Sequence, residues 1–400
     1  SGTRNSCELR RDDASGAWRV GAAEWPQIRS AVMDEMEKRA AEIIHLRRAE
    51  LAKGDPVAMP ITMASMYHLP GDPAGARGYG RMDNPTWDGL EHALGHLEGA
   101  RAVAFPSGMA AISAALFAVL KAGDKVIVPS DGYYTTRMLA DRFLKPLGVK
   151  VEERATSAMS VGGFSGVRLV FLESPSNPGL DLCDISGIAR EVHAAGGLVV
   201  VDNTTMTPFG QRPLDLGADM VVAADTKAPG GHSDVLMGHV TVRDEALYAA
   251  LRDWRKISGA IPGPFEAWLT HRGLETLELR FARMCASAQV IAERLAEHKK
   301  VQVLRYPGLL QDPAHNLMRK QMATGGFLIG LTLKDEAAGE GFINGCKMLQ
   351  PATSFGGVHS SAERRARWGD AVQPGFVRLS VGIEPLETLW ASLSDALGFV

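Results

Sequence analysis

The 400-residue chain reads as an α/β protein: a mostly parallel sheet with helices on both faces, followed by a smaller C-terminal α+β domain. Three observations lead there. Between about residues 100 and 242, short runs of Val, Leu and Ile alternate with helical patterns. Strands that lack polar alternation belong to a parallel sheet covered on both faces. Small and polar residues follow those runs, at the strand ends where open α/β sheets bind ligands. After a helical pattern from about Glu275 to His298, strand-like and helical segments mix differently.

The elements follow in order. A polar, irregular start leads to a helix from about Pro26 to Lys53. Pro26 suits its first turn, Gly54 suits its end, and Val32, Met36, Ala40, Ile43 and Ile44 form an apolar stripe. That stripe packs on this subunit or on a neighbour. A loop rich in Gly and Pro, Leu69 to Gly75, comes next. Strands are expected at Ala102–Phe105, Lys125–Val128, Leu169–Leu172, Leu198–Val201 and Met220–Ala223, with helices at Met109–Lys121, Thr136–Leu147 and Ile185–Ala195. The C-terminal part is read as strands Val301–Arg305, Phe327–Leu333 and Phe376–Val381 with helices Ala337–Met348 and Pro385–Leu397. The expected divisions are an N-terminal arm and helix over 1–69, a large ligand-binding domain over 70–270 and a small domain over 271–400.

Composition narrows the function classes. Apolar residues make up 46% and charged residues 22%, ordinary values for a globular protein. A net charge of −3 offers no bulk attraction to nucleic acid or an anionic membrane. Cys7, Cys183, Cys285 and Cys346 are scattered, without CxxC or His/Cys metal spacing, and read as reduced thiols. Ser1 to Ser6 lack a signal-peptide core, and no run nears the roughly 18 apolar residues of a membrane span. A cytoplasmic protein is expected, with no nucleic-acid, membrane or metal partner.

The chemistry lies at the strand ends. Lys227 follows the apolar run Met220–Ala224 and stands near Gly230-Gly231. Burial lowers a lysine pKa, and a neutral amine condenses with a carbonyl as a Schiff base. Alone, such a lysine is more often a snorkelling surface residue. Asp202-Asn203-Thr204 ends another strand; a carboxylate there favours the cationic form of a pyridine nitrogen, although an isolated Asp-Asn is as often a turn. Ser174-Pro175-Ser176-Asn177-Pro178 presents Asn177 as a neutral donor, or is a plain proline-rich loop. Ser107 is a good N-cap, and the free amides of Gly108 and Met109 suit an anion; without other signals this is a simple helix cap. Tyr133 and Tyr134 can stack on a flat ring or merely pack.

Together these signals fit one flat, phosphorylated ligand with a basic ring nitrogen: pyridoxal 5′-phosphate, held by Lys227 as an imine. A nicotinamide site would need GxGxxG after the first strand and an acid about 20 residues on, and neither is found.

These residues, in this order, resemble the Cys/Met-metabolism family of pyridoxal-phosphate enzymes, which includes cystathionine lyases and synthases. The likeness covers about residues 55–400. It is carried by Tyr79-Gly80-Arg81, Ser107 to Ala111, Ser174 to Pro178, Asp202 to Thr204, Thr226-Lys227 with Gly231 to Asp234, and Arg378 to Glu384. It implies a fold-type-I transferase with Lys227 as the cofactor lysine and proton shuttle. Asp202 then pairs with the pyridine nitrogen, with Thr204 beside it, and Asn177 contacts the ring hydroxyl. Ser107, Gly108, Met109 and Thr226 hold the phosphate. Tyr79 and Arg81 look like the pair donated to the adjacent subunit, which implies a homotetramer, a dimer of dimers with shared active sites. Tyr133 looks like the stacking tyrosine that assists proton transfer. Arg378 with Ser354 looks like the clamp for the α-carboxylate of an amino-acid substrate.

This chain departs from the family pattern at several places. Ala224 stands where a serine usually supplies a phosphate hydroxyl, and Asp225 places an acid near an anion. Tyr134-Thr135 replaces the usual Gly-Gly ahead of Arg137. His359 stands where cystathionine enzymes carry a glutamate for the far end of the substrate. The run Glu363 to Trp368 reads as a solvated helix face rather than a ligand for an acidic substrate end.

The likeness implies γ-elimination on a γ-substituted L-amino acid, best represented by cystathionine giving cysteine, 2-oxobutanoate and ammonia. A γ-replacement transferase of the cystathionine γ-synthase or O-acylhomoserine type shares every cofactor residue. A γ-lyase for another leaving group stays open through His359. A methionine γ-lyase is less favoured, because the cysteine it usually carries after the stacking tyrosine is absent. A non-catalytic protein that kept the fold is opposed by Lys227, Asp202 and Asn177 together.

Overall fold

The computed structural model describes residues 10–11, 18–19 and 25–400, with side chains from Glu35 onward. The remaining N-terminal start, Cys7 and the Val32 side chain lie outside the described residues. The first helix, α1 (Trp25–Ile44), ends nine residues before the expected Lys53, and a short 3₁₀ turn occupies Arg48–Glu50. Met36 and Ile43 bury its stripe, while Ile44 is 55% exposed. Helix α2 (Pro85–Glu98) packs against α1; Asn84 caps its start and Gly99, at φ 67°, ends it. A left-handed cap of this kind suits glycine, which carries no Cβ.

The central sheet has seven strands: β1 (Arg101–Phe105), β2 (Lys125–Pro129), β3 (Lys150–Arg154), β4 (Leu169–Glu173), β5 (Leu198–Asp202), β6 (Met220–Ala223) and β7 (Gly238–Val242). Their order is β1-β7-β6-β5-β4-β2-β3, parallel except for β7. Two strands escaped the sequence pattern. Strand β3 is an edge strand of polar sequence, KVEER, and only half buried. Strand β7, GHVTV, carries a glycine, a histidine and a threonine, all buried.

Successive residues of the strands fill two separate cores, as a pleat dictates. Val126, Val128, Phe171, Val200, Val222 and Val240 face one layer, with helix α3 (Gly108–Phe117). Ile127, Val170, Leu172, Val199 and Val201 face the other, with helix α4 (Ile185–Ala194). Each fully buried Val, Ile or Leu contributes about 1.5–3 kcal/mol relative to exposure, so this double-sided burial keeps the strand ends that build the cavity in register.

The long helix α5 (Leu277–Ala296) leads into a second, five-stranded sheet. Its strands are β8 (Val303–Arg305), β9 (Leu328–Thr332), β10 (Gln350–Pro351), β11 (Ser361–Arg364) and β12 (Phe376–Ser380), in the order β8-β9-β12-β11-β10. Helices Glu336–Gly345 and Leu386–Gly398 cover it. Glu363 on β11 stands directly opposite Arg378 on β12.

Asp225, expected to crowd an anion, is fully buried and turns away from the cavity. Its carboxylate meets His239 Nδ1 at 2.8 and 2.9 Å. His239 Nε2 lies 3.9 Å from the buried carboxylate of Glu98. Burial alone disfavours the imidazolium, yet Asp225 and then Glu98 more than offset it and raise the His239 pKa from 6.5 to about 10. The pair therefore stabilises the fold fully below about pH 6.5, and that contribution is lost as pH rises toward 10. Between pH 7 and 10 the melting temperature of the wild type is expected to fall more steeply than that of His239→Gln. Parallel pH profiles in thermal melts would remove the pair from this account.

Candidate functional site

The carboxyl ends of β4, β5 and β6, the start of α3 and the second sheet enclose one cavity of about 430 Å³. Ser107, Gly108, Met109, Tyr133, Asn177, Asp202, Thr204, Thr226, Lys227 and Arg378 line it. These residues span 272 positions of sequence, and the parallel sheet brings their strand ends to one side.

Each wall has a local cause. Ser107 caps α3 by accepting from Ala110 N at 3.1 Å, which leaves the amides of Gly108 and Met109 at the helix start facing an anion site. A Cβ on Gly108 would lie 2.6 Å from the Ala224 Cβ, so only glycine lets α3 approach this closely. Thr226 Oγ1 exchanges hydrogen bonds with the Met237 backbone at 3.0 and 3.2 Å. Thr204 donates its amide to Asp202 Oδ1 at 3.0 Å and receives the Ala224 amide on its hydroxyl at 2.9 Å. Asn177 sits in a turn whose Ser174–Pro175 and Asn177–Pro178 bonds are cis.

Lys227 Nζ donates to Ser354 Oγ at 2.8 Å and lies 4.7 Å from the centre of the Phe355 ring. Burial lowers its pKa from 10.5 to about 8, with Arg378 adding to the effect and Glu363 opposing it. A sizeable neutral fraction of this amine exists near neutral pH, as a nucleophile requires. Arg378 is 2% exposed. It donates to Asn177 Oδ1 and to Thr353 O, both at 2.6 Å, and to Glu363 Oε2 at 3.2 Å. Burial, and then Arg365, lower its pKa to about 10, which still leaves it charged.

Sequence reasoning missed Glu173. It ends β4 next to Asp202 on β5 and accepts the amides of Tyr133 (2.6 Å) and Asn177 (2.8 Å). Burial and then the Asp202 carboxylate raise its pKa to about 8. Burial raises Asp202 as well, against its hydrogen bonds from Thr204 and the charge of Lys227. The two acids thus hold one negative charge more readily than two, and a cation beside Asp202 would draw it there. An acid at a strand end beside the SPSNP turn was the available signal.

Four expected site residues do not line the cavity. Ser354 reaches it through Lys227. Tyr79 and Arg81 are exposed and stand apart; Arg81 donates to Lys256 O at 2.6 Å and packs 5.6 Å from the Tyr79 ring centre. His359 is exposed and lies outside the lining. Its neighbours hold the loop in that pose: Val358 bonds to Gly231 and Ile383, and Ser360 to Glu384. The run Glu363 to Trp368 is not a solvated helix face. Glu363, Arg364 and Arg365 are buried, and Arg365 and Trp368 line the cavity. Ion pairs with Glu363, Glu336, Glu340 and Asp370 make burial of those arginines tolerable.

The residues present fit pyridoxal phosphate. Helix-start amides that would hold a phosphate line the cavity where Gly108 lets α3 close on Ala224, an acid lies deep at a strand end, and a half-buried amine of lowered pKa faces the space between. This is the site of a fold-type-I pyridoxal-phosphate enzyme. Its sequence places it further: the pattern of the Cys/Met metabolism PLP-dependent enzymes matches residues 40–398, and the chain belongs to that family. It is 47% identical over 355 residues to a putative cystathionine gamma-lyase of Streptomyces coelicolor, covering 87% of this chain and 90% of that protein. An L-methionine gamma-lyase of Pseudomonas putida is 38% identical, with 80% and 84% covered. A cystathionine gamma-synthase from Xanthomonas oryzae, solved in complex with cystathionine, superposes with a TM-score of 0.86 at 34% identity, covering 90% of this chain and 97% of that one. The chain is thus an enzyme of the lyase and synthase group that acts on carbon–sulfur bonds with pyridoxal phosphate. No described helix is long and apolar enough to cross a membrane.

Proposed function

We propose that this enzyme catalyses γ-elimination on a γ-substituted L-amino acid, with cystathionine, cleaved to cysteine, 2-oxobutanoate and ammonia, as its reference substrate. The observation that carries the reading is Lys227, an amine of lowered pKa held beside Ser354 within reach of the Arg378 clamp. Likeness to the Streptomyces coelicolor protein supports cystathionine. Pyridoxal phosphate, when bound, supplies an aldehyde for the substrate amine and a conjugated ring that stores electrons released at Cα.

The side chains divide the remaining work. Gly108, Met109 and Thr226, with Ser107 fixing the helix start, hold the phosphate. Asp202, steadied by Thr204, would pair with the ring nitrogen, and Asn177, its oxygen occupied by Arg378, would have its amide free to donate to the ring hydroxyl. Tyr133 would stack on the ring. Arg378 and Ser354 hold the substrate α-carboxylate. Lys227 removes the Cα proton and returns protons to the product, and Tyr133 gives a proton to the departing γ-sulfur. Tyr79 and Arg81, exposed and apart from their own chain's cavity, reach the phosphate of an adjacent subunit in a homotetramer with shared active sites. The buried cysteines Cys183, Cys285 and Cys346, all free, suit a cytoplasmic setting.

A γ-replacement reading is favoured by the superposition on the Xanthomonas oryzae synthase. Purified holoenzyme is expected to sediment as a tetramer and to release 2-oxobutanoate from cystathionine and related γ-thioethers. It should do so faster than it forms a thioether from an O-acylhomoserine and cysteine. A dominant thioether-forming rate would replace elimination with replacement.

A further inference from the structure

Once Lys227, Ser354 and Arg378 serve the amino-acid head, the wall left for a γ-substituent includes Tyr134, Leu236, Arg365 and Trp368. Its cations are committed. Arg365 is closed off by Glu363 at 2.8 Å and Asp370 at 2.6 Å. Arg137 donates to Gly132 O at 2.7 Å and does not line the cavity. His359 faces solvent, and Arg367 pairs with Glu363 at 3.2 Å and stands 5.6 Å from the centre of the Trp368 ring. Among the described residues, no charged side chain of this wall is left to meet a distal ammonium or carboxylate, and desolvating such a charge without a partner is costly.

Trp368 offers the opposite chemistry. Its indole N–H, the only donor of that side chain, is given to Glu363 Oε1, so the part of this half-exposed ring that lines the cavity and is not covered by Arg367 offers an apolar surface. The same carboxylate accepts from Arg378 through Oε2. Glu363, 1% exposed, therefore ties the aromatic wall to the carboxylate clamp and sets the distance between them. A thioether sulfur or alkyl group gains contact energy against an indole face.

We propose that Trp368, pinned by Glu363, is the specificity-determining residue for the γ-substituent, and that it selects an uncharged alkylthio or arylthio group over one ending in a charged amino-acid head. This rests on the γ-elimination reading and narrows its substrate class, placing cystathionine below uncharged thioethers.

The test uses tetrameric holoenzyme and two amino acids without a γ-leaving group, L-norleucine and L-2-aminoadipate, titrated by the change in cofactor absorbance. Norleucine is expected to bind at least about tenfold more tightly than aminoadipate. Trp368→Ala should weaken norleucine about tenfold and leave aminoadipate within about twofold, whereas Trp368→Phe, which keeps an apolar ring but loses the tie to Glu363, should fall between wild type and Trp368→Ala. Free-enzyme absorbance should match the wild type in both variants, and both should melt lower by a similar amount, because each removes the indole N–H from buried Glu363. Equal affinities in the wild type, or equal loss for both ligands in Trp368→Ala, would overturn the assignment. Because neither probe is cleaved, these constants stand even where no γ-substituted amino acid yields 2-oxobutanoate, so the two readings fail separately.

Discussion

Lys227→Ala is expected to abolish the visible absorbance of the holoenzyme and the covalent attachment of cofactor that borohydride reduction leaves in the wild type, and to lower elimination by at least about ten-thousandfold. Two losses combine. The amine that captures the cofactor aldehyde is gone, and so is the base that moves the Cα proton. The variant should still fold. In the wild type, burial of this ammonium beside Arg378 opposes its charge and lowers its pKa to about 8, so its removal relieves an unfavourable contact. The cofactor-free variant is therefore expected to melt at the same temperature as cofactor-free wild type, or higher, near pH 7. Differential scanning calorimetry and an absorbance spectrum decide this. Cofactor that still becomes covalently attached to the variant on borohydride reduction would move it to another lysine.

How far the sequence discloses this site depends on how local each signal is. Unalternating apolar runs disclosed β2, β4, β5 and β6, because a strand buried on both faces needs no partner to explain its composition. Strand β3 was missed since its residues are polar and half exposed, and β7 because His239 is tolerated there only through Asp225. That compensation crosses fourteen residues and two elements, and no periodicity records it. The same distinction governs the site. Ser107, Asp202, Asn177 and Lys227 stand at strand ends or helix starts and meet at one cavity. His359 does not join them, because loop hydrogen bonds hold it outward. Glu363 and Arg365 looked like a charged surface; their burial is permitted by a network of Arg365, Arg367, Trp368, Asp370 and Arg378 that no spacing reveals.

Arg378 shows what that network achieves. Its three hydrogen bonds to Asn177, Thr353 and Glu363 use three of the five N–H donors of a guanidinium and leave two for a ligand. The planar group is thus oriented before substrate arrives, and a preorganised fork holds a carboxylate better than a flexible ammonium. Arg378→Lys keeps the charge but loses the fork, so the KM for any amino-acid substrate is expected to rise about 30-fold or more with a smaller change in kcat. Arg378→Ala should lower kcat/KM by about a thousandfold. It also strips a partner from Asn177 Oδ1 and from Glu363, both buried, where each unsatisfied group costs about 1–3 kcal/mol, so its melting temperature should fall. The lysine variant separates the two effects: a KM that rises while cofactor absorbance and melting temperature hold assigns Arg378 to the substrate. An unchanged KM in Arg378→Lys would assign it to the fold alone.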